Sequence, residues 1–277
     1  MSIARLARPL VLALTIPAAA LAAPIGHAAP IGQASAAGSH TATASFGGPA
    51  ATGALMAEYS PNWGGYVATG TKFRYVRATF TVPRLDCAKT PGTSKDPALV
   101  GEWAGLDSVS VEQAGISGQC TDGHEQYAAW YEMYPKSPVY PEMSVSQGDA
   151  IQASVWYVAS KHEYQLVVSD LSNGQGFTKW ERCGARSCAN SSAEVITESP
   201  GKSVAAKGAY YPLADCGTTR FTGISITDAA GQRGTFTSGN WQSTMFVMQD
   251  NSGRVKAAIS GLTGNGGAFN TYWERET

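Results

Sequence analysis

Charge is scarce in this 277-residue chain: Asp, Glu, Lys and Arg together make up only 15% of it. Between residues 23 and 57 none of the four occurs, and Ala, Gly, Ser, Thr and Pro dominate. A stretch with so little large apolar surface cannot offset the entropy of ordering, so it reads as a propeptide or a disordered linker. Histidine is also rare. Two of the four, His27 and His40, fall in that segment, and His124 and His162 lie in turn-like surroundings, which disfavours a histidine-based triad. No Gly-x-Ser-x-Gly elbow, His-Glu-x-x-His helix, phosphate loop or dinucleotide fingerprint is present. No apolar run approaches the roughly 20 residues a membrane helix needs. Nor does any stretch keep a helical apolar period over a dozen residues.

The remaining composition sets the compartment and the size. Arg5 and Arg8 precede a short apolar stretch from Pro9 to Leu21, with small residues after it, so residues 1–22 read as an export signal rather than a membrane anchor. Residues 58–277 are then expected to form a single domain, long enough for one sizeable core. All 21 acidic but only 18 of the 20 basic residues lie after residue 57, leaving that part at −3. This charge argues against nucleic-acid or anionic-membrane partners. Five cysteines suit an oxidising compartment. Cys183 and Cys188 enclose a loop that a disulfide could close, with zinc as the competing reading; Cys87 with Cys120 is the next pairing, leaving Cys216 unpaired.

Strand signals fill the rest. Residues 75–82, 150–158, 164–168, 221–226, 244–248 and 255–259 are β-branched and aromatic, and Gly, Asn, Asp or Pro bound them. The fold expected is all-β, an antiparallel sandwich or barrel. Within such strands alternate residues share a face. Trp103, Gly105 and Asp107 would share one, Gln126, Ala128, Trp130, Glu132 and Tyr134 another, and Glu194, Ile196 and Glu198 a third. Three acids beside aromatics suggest a concave groove for an extended ligand, or else a merely solvated face. Gln113 stands next to Glu112, but alternation sends the two to opposite faces.

At these residues the chain resembles the glutamic peptidases, or eqolisins. Asn62-Trp63-Gly64-Gly65-Tyr66 is similar to their opening element, and Ala78 to Pro83 to the next strand. Trp103-Ala104-Gly105-Leu106-Asp107, Gln113-Ala114-Gly115, Ala129 to Pro135, Ser146 to Ile151 and Ala193 to Glu198 follow in the family's order. The resemblance implies a β-sandwich of two antiparallel sheets, secretion and polypeptide substrates; nothing in the sequence calls for a cofactor, a metal or more than a monomer. It assigns Gln113 and Glu198 as a catalytic dyad, with Trp63, Trp103, Asp107, Glu132 and Glu194 lining or supporting the site, and Glu194 as the alternative catalytic acid. Two positions depart from the family: Val195 replaces an aromatic, expected to loosen a substrate subsite, and Ser199 replaces an acid beside the water. A glycoside hydrolase using Glu132 and Glu198, or a carbohydrate-binding sandwich without catalysis, is the rival reading.

Overall fold

The computed structural model describes residues 56–107, 110–184, 189–203 and 208–277. The expected export signal, nearly all of the low-charge segment, and Cys188 of the expected Cys183–Cys188 pair lie outside the described residues.

Fifteen strands and no helix occur among the described residues. The first five are β1 (Met56–Ser60), β2 (Trp63–Thr69), β3 (Phe73–Thr81), β4 (Ala98–Leu106) and β5 (Glu112–Thr121). Then come β6 (His124–Met133), β7 (Ala150–Val158), β8 (Glu163–Asp170), β9 (Gly176–Arg182) and β10 (Ala193–Glu198). The last are β11 (Thr218–Asp228), β12 (Arg233–Gly234), β13 (Gln242–Gln249), β14 (Val255–Ile259) and β15 (Phe269–Trp273).

Hydrogen bonds run unbroken in the order β6-β5-β4-β10-β2-β13-β14-β15-β11-β3-β7-β8-β9. All neighbours on that path are antiparallel; β1 adds to β13 in parallel and β12 to β11. The sheet folds back on itself, so that β4, β5, β6 and β10 pack against β3, β7 and β8. The architecture is therefore the expected β-sandwich, with its two layers joined through β13, β14 and β15 rather than separate.

Burial patterns report this layering. In β8, Tyr164, Leu166 and Val168 are buried while Glu163, Gln165, Val167 and Ser169 are half-buried, as for a strand with one wet face. In β4 every residue is buried, because both of its faces are covered. The inter-sheet core takes Ala104, Leu106, Ala114 and Ile116 from one layer and Val76, Phe80, Ile151 and Leu166 from the other. A second cluster at one end contains the Cys87–Cys120 disulfide and the free, buried Cys216.

Candidate active site

The register builds the site on the outer face of the first layer. Glu194, Gly105, Gln113 and Glu132 lie directly opposite one another on β10, β4, β5 and β6. The next row is Ile196, Trp103, Gly115 and Trp130, and beyond it Glu198 faces Gly101 and Trp63. Directly paired residues of antiparallel strands project from the same face. One surface thus carries all three tryptophans, the glutamine and three glutamates.

Glycines let the largest of these side chains lie down. A Cβ on Gly105 would sit 2.8 Å from Trp103 Cζ3, and one on Gly115 would sit 2.7 Å from Trp103 Cβ. The Trp103 indole therefore spreads along its own strand over Gly105, and its edge meets the Trp63 ring at 5.1 Å. Lying flat, it presents its N–H to Glu198. Trp103 Nε1 donates to Glu198 Oε2 at 2.9 Å, and Asn62 Nδ2 donates to the other oxygen at 3.0 Å. Asn62 is itself fixed: the Ser60 hydroxyl donates to its Oδ1 and accepts from the Trp63 amide, and Ser199 N donates to the Asn62 carbonyl.

Gln113 is anchored from the other side. Its Nε2 donates to Glu132 Oε2 at 2.6 Å, while Gln113 Oε1 and Glu132 Oε1 are buried without a partner. Such atoms are costly to bury in a dry site and are the natural hydrogen-bonding points for a ligand.

Burial dominates the electrostatics. Glu198 is pushed up to about 7 by exclusion from water, and the N–H groups of Trp103, Trp63 and Asn62 work against that rise. The Trp63 N–H lies close enough to act on the charge without reaching hydrogen-bond geometry. Glu132 is raised well above the carboxylate range by burial first and by the charge of Glu198 second, with the Gln113 amide opposing. When this group of acids first loses a proton, Glu198 is the one that gives it up.

Of the residues expected at the site, Asp107 turns away from it, while Glu194 lies in the row of Gln113 and Glu132. β4 ends at Leu106, and Asp107 has φ of 70°, which swings its side chain out of the alternation. Its carboxylate accepts from Asn190 N at 2.9 Å and Ser191 Oγ at 2.8 Å, tying down the approach to β10. Glu194 shares the face of Glu198 but is fully buried at the opposite end of β10, where Asp107 and Glu112 act on it. The departures from the family pattern also fall elsewhere. Val195 points into the inter-sheet core, so no subsite contains it; alternation from Glu194 and Ile196 is the reason. Ser199 likewise faces away, donating to the Tyr211 carbonyl and accepting from Lys256 Nζ.

Sequence reasoning placed Gln113, Glu198, Trp103, Trp63 and Glu132 on one surface but gave no role to Asn62, Gly105 or Gly115. For Asn62 the signal was available in the tight Ser60-Pro61-Asn62 link before a tryptophan.

Comparison with known proteins matches the chain to a family. The peptidase A4 family matches residues 61–265. Aspergillopepsin-2 of Aspergillus niger is 27% identical over 230 residues, 76% of this chain and 78% of its own. A scytalido-glutamic peptidase solved with a transition state analog inhibitor superposes with a TM-score of 0.64 at 23% identity, over 77% of this chain and 98% of that one. SCP-B, a member of the eqolisin family in complex with the tripeptide Ala-Ile-His, gives 0.62 at 24% identity over the same shares. With a family match over most of its length, the chain belongs to the peptidase A4 family, the glutamic endopeptidases.

Proposed function

We propose that the chain is an exported acid endopeptidase in which Gln113 and Glu198 form the catalytic dyad. The observation that carries this reading is the opposed anchoring of the two groups: Asn62 and Trp103 hold Glu198, and Glu132 holds Gln113. Each is fixed by a neighbour on one side and keeps hydrogen-bonding capacity on the other.

Glu198 as carboxylate takes a proton from a water molecule as its oxygen bonds to the peptide carbonyl carbon. The carbonyl oxygen gains the negative charge, and the Gln113 N–H not used by Glu132 donates to it. Collapse of the tetrahedral intermediate breaks the C–N bond, and Glu198 returns its proton to the leaving amine. Removing one such oxyanion donor costs about 3–4 kcal/mol of barrier in a comparable site. Trp63 and Trp103 supply a rigid, water-poor wall. Asp107 and Glu194 support the strand ends rather than touching substrate. The sugar-hydrolase alternative needs Glu132 facing a glycosidic bond, and Glu132 is engaged by Gln113 instead.

The high Glu198 pKa belongs to the closed, dry site. Hydrogen-bond donors that a bound peptide and the attacking water bring to Glu198 favour its charged form, so the carboxylate forms at lower pH once substrate is bound. Residues 1–22 as a signal, 23–57 as a removed or disordered segment, and 58–277 as one monomeric domain complete the proposal; the Cys87–Cys120 disulfide supports an oxidising destination. Incubation with a denatured protein at acid pH tests it. Cleavage by the wild type and none by Glu198→Gln is expected; equal cleavage by both would sink the dyad.

A further inference from the structure

The second layer turns outward a face that peptide hydrolysis does not use. Across β11, β3, β7, β8 and β9 the register lines up Thr227, Tyr75, Trp156, Gln165 and Trp180 in one row. At the usual strand spacing this strip is roughly 19 Å long. Trp156 is 43% exposed and Trp180 42%. Large exposed aromatics gathered on one face of a sheet mark an interaction surface.

The strip is also cationic. A cavity of about 420 Å3 beside Trp156 is lined by Arg74, Arg77, Arg233, Ser225 and Thr227. A second cavity of about 420 Å3 shares Arg74 and Trp156 and adds Lys72. Among the described residues none of these four cations is in an ion pair, and Arg77 Nε is buried without a partner. The acids nearby are already engaged. Glu163, one row along, is held by Arg182 at 3.1 Å, and Asp228 is buried, accepting from Gln232 N. Lys161 lies 4.2 Å from the Trp180 ring centroid and adds a further positive charge.

Unpaired guanidinium groups around an aromatic plate favour oxyanions, which they grip two-pronged, together with flat ring faces that stack on indole. The backbone of β3, β7 and β8 is consumed by ladder bonds on both sides, so around Trp156 and the arginines an extended peptide has no strand edge to join; the free edge lies beyond, at β9. A chain of rings bearing anionic groups fits better. We propose that this face binds an acidic polysaccharide, stacking a ring on Trp156 and holding its carboxylate or sulfate groups with Arg74, Arg77 and Arg233, and with Lys161 where it lies over Trp180. It would hold the peptidase on an anionic glycan matrix, independently of the dyad.

Affinity electrophoresis of the full protein in gels containing polygalacturonate, heparin, neutral dextran, polyglutamate or oligothymidylate tests this. Polygalacturonate or heparin, whichever anion the site prefers, should retard the protein, and the other three should not. Trp156→Ala and the double variant Arg77→Gln/Arg233→Gln should each weaken retardation by about tenfold or more, while cleaving peptides at the wild-type rate, which also certifies their fold. No retardation by either acidic glycan, unchanged retardation of both variants, or equal retardation by dextran, polyglutamate or oligothymidylate overturns the proposal.

Discussion

Gln113 and Glu132 face each other across β5 and β6, and the amide nitrogen of the first donates to the carboxyl of the second at 2.6 Å. An amide can be turned either way round, and this bond decides which end of Gln113 points away from Glu132. Glu132 is thus a positioning residue for the oxyanion donor. Glu132→Leu, which can neither donate nor accept, should release the Gln113 amide from its fixed orientation. We expect kcat to fall about tenfold with little change in KM, against a loss of about 10²–10³ in kcat for Gln113→Ala. Steady-state kinetics on one peptide substrate separate the two.

The position of Glu198 on the pH axis gives a second expectation. The acid limb of kcat/KM reports the free enzyme and that of kcat the substrate complex. The first reports a carboxyl raised by burial and should lie at higher pH than the second, because donors on the bound substrate favour the charged form. Coincident limbs would remove the donor argument.

Trp103→Phe keeps the ring and deletes the N–H that lowers the Glu198 pKa. The base then ionises later, so the acid limbs should move to higher pH. Gly105→Ala forces the same indole aside, since the new methyl would sit 2.8 Å from Trp103 Cζ3. It should lower kcat while leaving the circular dichroism spectrum of the fold intact.

Stability should fall as pH rises. Burial holds Glu102 at about 8 and Glu112 at about 9 in the folded chain, against an ordinary Glu value of about 4.3 when unfolded. Below about pH 4.3 both groups are protonated in both states, and what they contribute to stability is fully present. Between there and the folded pKa values the folded state holds protons that the unfolded chain has released, so each group removes about 1.4 kcal/mol per pH unit. Urea midpoints measured from pH 4 to 8 should decline steadily, and Glu102→Gln should flatten the decline.

Which residues of one strand share a face could be read from alternation, while their grouping into one site rested on the family resemblance. Gln113 and Glu112 do part to opposite faces, and Glu112 sits fully buried on the core side, where the Tyr164 hydroxyl acts on it. Trp130 and Glu132 do share a face, as do Glu194 and Glu198. Alternation fails at Asp107 because it presumes extended backbone, and a positive φ ends that presumption. It also says nothing about which strands are neighbours. That Glu198 faces Gly101, or that Asn62 reaches Glu198 across 136 positions of sequence, depends on register and on a short link between β1 and β2. The continuity of the two layers through β13, β14 and β15 was equally hidden, since pairing order is a property of the assembled sheet.

That continuity bears on how a peptidase survives among its own copies. A bond is cut only after its segment has been drawn out as a free extended strand. In the described ladder every strand from β5 to β8 along the path is bonded on both sides, so freeing one forfeits two sets of bonds and opens the common core. Partial opening at a central strand therefore approaches the cost of global unfolding. In acid, where the buried carboxyls are neutral and their contribution to stability is fully present, the molecule makes a poor meal for its neighbours.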